Sequence, residues 1–313
     1  MYKIESKDYY LINEEGEIIR SVLRGKFKKT YGFKKDKLHT LDIVAVGDYV
    51  NFQMNDDGTG WIDKVFERNN YLSRKAPKIK GTSFRGERLE QIIATNVNKL
   101  FIVNSTIQPQ FNNRLLDRII VGAESAKIEP VIIINKIDLI DIKEAEYWID
   151  IYQKCGYKVY LTSAKKKIGI ENLRLEIKNS DSVFWGASGV GKSSLLNTLY
   201  PELNFKVGEI STQTNKGTHT TVTSVLKEVE PGTIIVDTPG IREIEPYGIK
   251  KQDLGHYYIE FSDYLNDCKF NTCTHFHEPG CIVREAVENG DISEERYESY
   301  LNLLDTIEDD MIY

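Results

Sequence analysis

The rhythm of apolar and polar positions changes twice along the 313 residues. Over roughly the first seventy it is a short alternation: Tyr9-Tyr10-Leu11-Ile12, Glu17-Ile18-Ile19-Arg20, Asp48-Tyr49-Val50-Asn51-Phe52 and Gly60-Trp61-Ile62, with Gly, Asn and Asp between. Period-two runs cut this often by turn residues predict half-buried strands, not helices. Five or so of them in such a length predict a small barrel of the OB type. Further on the runs become continuous: Leu100-Phe101-Ile102-Val103, Val131-Ile132-Ile133-Ile134, Val159-Tyr160-Leu161, Val183-Phe184-Trp185 and Ile234-Ile235-Val236. Strands buried on both faces read this way. Between the first two, Leu115, Leu116, Ile119, Ile120 and Ala123 recur at helical spacing. Alternating strands and helices predict a parallel sheet that binds ligands at the C-terminal ends of its strands. Helical spacing returns at 254–265 and 283–304. The predicted division is a barrel over 1–72, an α/β domain over 73–245 entered through a basic linker at 73–90, and a small helical unit over 246–313.

Composition narrows this frame. Hydrophobic residues make up 41% and charged residues 28%, as in a soluble globular protein. The N-terminal residues show no apolar signal core and no run approaches 18 apolar residues, so a cytoplasmic protein with no membrane partner is expected. A net charge of −6 excludes a surface coated in phosphate-binding residues; a nucleic-acid surface must be a local patch. One such patch lies at 20–37, with eight Lys or Arg against one acid, interleaved with Phe27, Tyr31 and Phe33. Cations and aromatics on a barrel rim are how such folds hold RNA, and Arg24, Lys26, Lys28, Lys29, Lys34 and Lys35 are the candidate contacts. A second basic stretch, 64–88, reads as a flexible cationic linker.

The candidate chemistry sits where the apolar runs end. After Trp185 comes Gly186-Ala187-Ser188-Gly189-Val190-Gly191-Lys192-Ser193, followed by Ser194 and an apolar helix. Its glycines let backbone N–H groups wrap a polyphosphate at a helix N-terminus, Lys192 neutralises the β- and γ-phosphates, and the Ser193 hydroxyl ligates Mg²⁺. After Val236 comes Asp237-Thr238-Pro239-Gly240, where Asp237 is the expected carboxylate near Mg²⁺ and Gly240 the N–H donor to the γ-phosphate. After Ile134 comes Asn135-Lys136-Ile137-Asp138. A carboxylate at 138 accepts from the ring N–H and amine of guanine, which adenine cannot offer. Lys136 is expected along the base plane, and Asn135 to tie this loop to the phosphate loop. Ser163-Ala164, after the next strand, presents N–H groups to the guanine carbonyl. In most GTPases the phosphate loop comes first; here the base reader precedes it, which implies a circularly permuted domain. Ile241 occupies the position after the switch glycine where many GTPases carry Gln, so His219, within Lys216-Gly217-Thr218-His219-Thr220-Thr221, is the catalytic candidate. Thr220 or Thr221 closes over Mg²⁺, with Thr220 preferred. A P-loop ATPase or kinase is the competing enzyme class, and the carboxylate of Asp138 argues against it.

Three thiols and an imidazole fall within fourteen residues: Cys268, Cys273, His275 and Cys281. That is the ligand set of a closed tetrahedral zinc site, hence one structural Zn²⁺ pinning a unit too small for a sufficient core of its own. His277 is a spare ligand candidate.

With these residues in view, the chain resembles, over nearly its whole length, the ribosome small-subunit-dependent GTPase A family (RsgA, also called YjeQ), circularly permuted GTPases of bacteria. The matching residues are Ala45-Val46-Gly47-Asp48, the three nucleotide motifs, Gly217-Thr218-His219-Thr220-Thr221 and the Cys3His cluster. The resemblance implies hydrolysis of GTP to GDP stimulated by the 30S subunit, contact with 16S rRNA and a role in late 30S maturation. A monomer is expected. One departure is Thr218, where the family often carries a basic residue. A GTP-gated rRNA-binding scaffold with incidental hydrolysis is the alternative reading.

Overall fold

The computed structural model describes residues 1–5, 8–25, 43–75, 90–203, 224–238 and 246–307. The N-terminal part contributes β1 (Lys3–Glu5), β2 (Asp8–Ile12), β3 (Ile18–Leu23), β4 (Val50–Met54) and β5 (Gly60–Val65). They follow the order β1-β2-β3-β5-β4 with β3 and β5 parallel, the Greek-key arrangement of an OB barrel. Leu11, Ile19, Leu23, Val44 and Ile62 fill its interior. Backbone bonds from Gly47 N to Met1 O (3.0 Å), and from the Met1 ammonium to Asp48 O (2.7 Å), bring the start of the chain to the entrance of β4. Gly47 is obligatory there. Its φ is +96° and an added Cβ would stand 2.2 Å from Thr95 O.

The central domain runs β8 (Lys99–Ser105), α1 (Asn113–Ser125), β9 (Glu129–Asn135), α2 (Ile142–Lys154), β10 (Lys158–Leu161), α3 (Ile170–Ile177), β11 (Asp181–Gly186), α4 (Lys192–Leu199), β12 (Val225–Glu230) and β13 (Thr233–Asp237). Strands β10-β9-β8-β11-β13 are parallel neighbours, and β12 is antiparallel at their edge. Both faces are covered, which is why these strands are continuously apolar. Leu100, Ile102, Ile132, Ile134 and Trp185 pack on one side against Leu116, Ile119 and Ile120 of α1 and Tyr152 of α2. Phe101, Val103, Val131, Ile133 and Phe184 face Leu173 and Ile177 of α3 and Leu195 and Leu196 of α4. Each such side chain contributes roughly 1.5–3 kcal/mol by leaving water.

Strand β1 also pairs with β12 (Lys3 opposite Val225), so barrel and central domain share one eleven-stranded sheet. The C-terminal unit comprises α5 (Ile282–Glu288), α6 (Glu294–Thr306) and short turns over a core of Leu254, Tyr258, Phe261, Val283 and Tyr300. No helix among the described residues is long and apolar enough to cross a membrane.

Three expectations are corrected. The stretch 254–265 is not an α-helix but 3-10 turns at Lys251–Tyr257, Ile259–Phe261 and Leu265–Asp267. Gly255 disfavours a regular helix, and its missing side chain makes room for the His275 ring, whose Nε2 would lie 3.0 Å from an added Cβ. The stretch 283–304 is two helices, broken at Gly290 (φ +80°) and restarted by Ser293, whose hydroxyl accepts from Arg296 N. The stretch 64–75 is not a flexible linker. Lys64 lies in β5, the Arg68 guanidinium grips Asp48 at 2.7 and 2.8 Å, and β6 (Tyr71–Lys75) pairs with β7 (Glu90–Thr95) in a hairpin. Residues 76–89 lie outside the described residues.

Candidate nucleotide site and metal centre

The base-reading and phosphate loops, 55 residues apart, meet at the ends of strands that flank β8. Asn135, buried at the end of β9, donates from Nδ2 to Val190 O at 2.9 Å. Its Oδ1 accepts from Ala164 N and the Thr162 hydroxyl, both at 3.2 Å, so one amide ties three loops. The Lys136 ammonium bonds the carbonyls of Gly189 (2.7 Å) and Gln108. Ile137 and Asp138 lie in a single 3-10 turn. The Ser163 hydroxyl donates to Asp138 Oδ1 at 2.5 Å and accepts from Lys166 N at 3.0 Å, which orients the carboxylate.

The phosphate loop leaves β11 at Gly186, where a Cβ would stand 2.8 Å from Val103 O. Ala187, Ser188 and Gly189 lead through buried Val190 to Gly191, whose φ is +92° and which precedes α4. A Cβ on Gly191 would come within 2.5 Å of Asn135 Nδ2, so the tie between loops requires glycine. Lys192, Ser193 and Ser194 form the half-buried first turn of α4, where backbone N–H groups have no partner within the helix and suit an anion. Burial lowers the Lys192 ammonium from its ordinary value while Asp237, 4.0 Å away, raises it. Thr238 donates from its hydroxyl to Phe184 O at 3.3 Å, seating the strand end. Of the magnesium candidates, Ser193 stands in the first turn of α4 and Asp237 at the end of β13, where it lies 4.0 Å from the ammonium of the neighbouring Lys192. His219, Thr220, Thr221 and Gly240 lie outside the described residues, as do Lys26, Lys28, Lys29, Lys34 and Lys35 of the basic patch. Arg24 is described: it is exposed, its guanidinium 4.2 Å from the Trp61 ring centroid.

Residues 105–111 were not singled out in the sequence. Ser105 donates to Pro109 O (2.7 Å), the Thr106 hydroxyl to Lys136 O (3.1 Å), and Pro109 packs beside Gly189. The only signal was Gln108-Pro109 punctuating the end of an apolar strand. A cleft of about 660 Å³ lies elsewhere, between barrel and sheet beside Tyr2, Tyr49, Phe66 and Asp181. No Lys or Arg side chain lines it, so it lacks what a polyphosphate needs.

In the C-terminal unit the candidate ligand atoms of Cys268, Cys273, His275 and Cys281 lie within 4.8 Å of one another. His275 Nδ1 is 3.6 Å from Cys268 Sγ and 3.4 Å from Cys281 Sγ. A tetrahedron with Zn–S of about 2.3 Å and Zn–N of about 2.0 Å has an edge of roughly 3.5 Å, so donor set and spacing fit zinc. Burial pushes the Cys273 thiol up to about 12, so a bound cation is what would hold its thiolate. The loop is braced from outside: Tyr297 and Tyr300 donate to the carbonyls of His275 and Thr274, each at 2.7 Å, and Glu278 accepts from Thr274 N at 2.8 Å. His277 is not part of the cluster.

Buried contacts attach this unit to the central domain. Arg296 of α6 donates to Asp117 of α1 at 2.5 Å and to Glu260 at 2.6 and 3.1 Å, and Tyr152 donates to Asp117 at 2.8 Å. The sequence signal was an acid at 117 inside the apolar stripe 115–123.

Fold and loops together define a P-loop domain of the guanine-nucleotide type whose base reader precedes its phosphate loop, joined to an OB barrel and a Cys3His unit. Comparison with known proteins agrees. The RsgA GTPase profile matches residues 65–246 and the RsgA N-terminal domain profile residues 6–62. The chain is 41% identical over 270 residues to the small ribosomal subunit biogenesis GTPase RsgA of Chlorobaculum tepidum, covering 85% of this chain and 86% of that one. Among solved structures, YjeQ from Thermotoga maritima superposes with a TM-score of 0.74 at 33% identity, over 97% of this chain and 95% of that chain. YloQ, described as a circularly permuted GTPase, gives 0.70 at 28% identity, over 97% and 92%. The chain belongs to the RsgA GTPase family.

Proposed function

We propose that this protein hydrolyses GTP to GDP and phosphate in the biogenesis of the small ribosomal subunit, with turnover stimulated by the 30S particle. The observation that supports the nucleotide assignment is the clasp between loops: Asn135 bonds Val190 and Lys136 bonds Gly189, which ties the loop that carries Asp138 to the loop 186–193. The printed names of the relatives support the ribosomal role. In this reading Asp138, oriented by Ser163, accepts from guanine. Ser163 and Ala164 flank its carbonyl, 186–194 wraps the phosphates, and Gly240 meets the γ-phosphate. Ser193, Asp237 and Thr220 or Thr221 hold Mg²⁺, which supplies charge neutralisation along the phosphates. His219 orients the attacking water. Cys268, Cys273, His275 and Cys281 hold Zn²⁺, which supplies the cross-link that the C-terminal unit's small core lacks. Arg24 and Lys26, Lys28, Lys29, Lys34 and Lys35 contact 16S rRNA, and the protein works as a cytoplasmic monomer. Hydrolysis changes the loop after Asp237, from which the chain runs straight into the zinc unit, and so releases the particle.

The test is GTP turnover with and without purified 30S particles across salt, in wild type and in Asp138→Asn. Stimulation that fades with salt, together with a shift from guanine to xanthine nucleotides in the variant, is expected. An unstimulated wild type refutes the ribosomal reading, and an Asp138→Asn variant of unchanged base preference refutes the guanine site.

A further inference from the structure

The turn that carries Asp138 hangs from a residue in an unfavoured conformation. Lys136 has φ 64° and ψ 31°, in the left-handed region that side-chain-bearing residues seldom adopt. Something must hold it there, and the Lys136 carbonyl shows what does. One bond to that oxygen comes from Leu139 N at 3.0 Å and closes the 3-10 turn around Asp138. The other comes from the Thr106 hydroxyl at 3.1 Å. Thr106 N also donates to Asn135 O, at 3.2 Å, one residue earlier. Beyond the turn, Ile137 N donates to Thr162 O at 3.2 Å. The Asp138 turn is therefore slung between the ends of β8 and β10, and the hydroxyl of Thr106 is its side-chain attachment to β8. Thr106 is buried, and valine would serve packing alone equally well there. Its own carbonyl accepts from Phe111 N at 3.2 Å, and the neighbouring Ser105 hydroxyl pins Pro109 O, so the attachment point is itself fixed.

We propose that Thr106 is a positioning residue for guanine recognition, its hydroxyl pinning the left-handed Lys136 peptide and thereby setting where the Asp138 carboxylate meets the base. The inference rests on the nucleotide site argued above. Thr106 touches no nucleotide; it acts through the turn. Loss of the hydroxyl lets the Lys136 peptide relax toward a commoner conformation and carries Asp138 off line. The cost falls on the groups of the base that only a carboxylate at the right place can satisfy, above all the exocyclic amine that distinguishes guanine from hypoxanthine.

The experiment compares wild type, Thr106→Val and Thr106→Ser in titrations with fluorescent GDP and fluorescent IDP, chase measurements of nucleotide release, and GTP turnover. Thr106→Val is expected to weaken GDP about five-fold, the weight of one ordinary hydrogen bond, and to weaken IDP less, because IDP lacks the amine. Release of GDP quickens accordingly. KM for GTP rises by more than kcat falls, and Thr106→Ser, which keeps the hydroxyl, restores the GDP to IDP ratio. Thr106→Ala reads the same ratio should the valine variant fail to fold. A wild-type ratio in the valine or alanine variant overturns the proposal, as does a serine variant as impaired as valine. A wild-type chain that binds neither nucleotide overturns the site assignment itself and this inference with it.

Discussion

Replacing Arg296 by Met keeps most of the side chain's length and removes its charge from a deeply buried polar cluster. Arg296 and Asp117 are each 1% exposed, and the guanidinium also lies 4.6 Å from the Tyr258 ring centroid. At an effective dielectric of about 20 each close ion pair is worth roughly 4 kcal/mol before desolvation is subtracted. The net value of the intact cluster is therefore small. Breaking it is not, because two carboxylates stay behind without their cation, at about 3–5 kcal/mol for a buried pair. The Tyr152 hydroxyl still donates to Asp117, which places the expected loss near the lower end, about 3 kcal/mol. That is a large part of the ~5–15 kcal/mol that holds a typical domain. Since the cluster joins α6, α1 and the Ile259–Phe261 turn, the C-terminal unit should detach first, and one urea transition should become two when far-UV circular dichroism is compared with tryptophan fluorescence at fixed zinc. The penalty should also depend on pH. Burial raises the Asp117 carboxyl above the ordinary range while Arg296 opposes it. Without the arginine the folded value rises further above the unfolded one. The neutral acid is then stable at low pH, and stability is lost as pH rises through the folded value. Arg296→Met should thus cost less at pH 5 than at pH 8. A variant within 1 kcal/mol of wild type, with a single coincident transition at both pH values, refutes the reasoning.

Glu176 gives the opposite pH signature. Burial alone would raise its carboxyl, but hydrogen bonds from Lys158, Lys99 and Tyr160 hold it at about 2. Its contribution is complete above the unfolded carboxylate value of about 4.3 and is lost as pH falls toward 2; after discounting for solvent screening it is about 1–2 kcal/mol. Urea midpoints of wild type and Glu176→Gln should therefore differ at pH 7 and draw together only as pH falls toward 2; a constant gap contradicts the assignment. Gly191→Ala forces a methyl group against Asn135 Nδ2, and its φ of +92° suits no alanine. Fluorescent GDP titration should show at least a ten-fold loss of affinity, and unchanged binding would show that the Asn135 clasp does not matter. Stripping metal with a chelator, or replacing Cys273 with Ser, should expose 246–307 to protease while the central domain stays folded; a protease pattern unchanged by both treatments argues against a structural metal.

How much of this was legible in the sequence depended on whether the information was local. Val131–Ile134 announced a strand buried on both faces because its two covering layers leave no polar position, and the phosphate and base loops were legible because each is a contiguous run with a backbone requirement. Strand β12, Val-Leu-Lys-Glu-Val-Glu, lies at the edge of the parallel set, and its charges hid it. The stretch 64–75, with strand β6, reads as linker in sequence because its basic residues look solvated, whereas Arg68 and Arg74 are held by Asp48 and Gln91. Asp117 and Arg296 are 179 residues apart, beyond any periodicity argument. Thr106 was invisible for a different reason: the role proposed for it lies in the backbone angle of another residue, Lys136, just past the end of the neighbouring strand.

The permuted order is harmless to the pocket because the sheet, not the chain, sets the neighbours. Strand β8, first of the central strands in sequence, lies between β9, which ends at the base reader, and β11, which ends at the phosphate loop. All three run parallel, so both loops leave the same edge whichever is synthesised first. What permutation does change is the attachment of the flanking parts. The barrel reaches the central sheet through β12, the strand that follows residues 204–223 and therefore the Gly217-Thr218-His219-Thr220-Thr221 motif, with Leu226 N donating to Tyr2 O at 3.0 Å. The C-terminal unit follows β13 and Asp237 along the chain and is braced against α1, whose N-cap, Asn112, directly follows the 105–111 turn beside Lys136. The barrel is thus fixed by backbone bonds to β12, which begins just after 204–223, and the C-terminal unit by buried ions to α1, which begins just after the 105–111 turn. An unpermuted order would place the chain ends elsewhere and would have to build both connections separately.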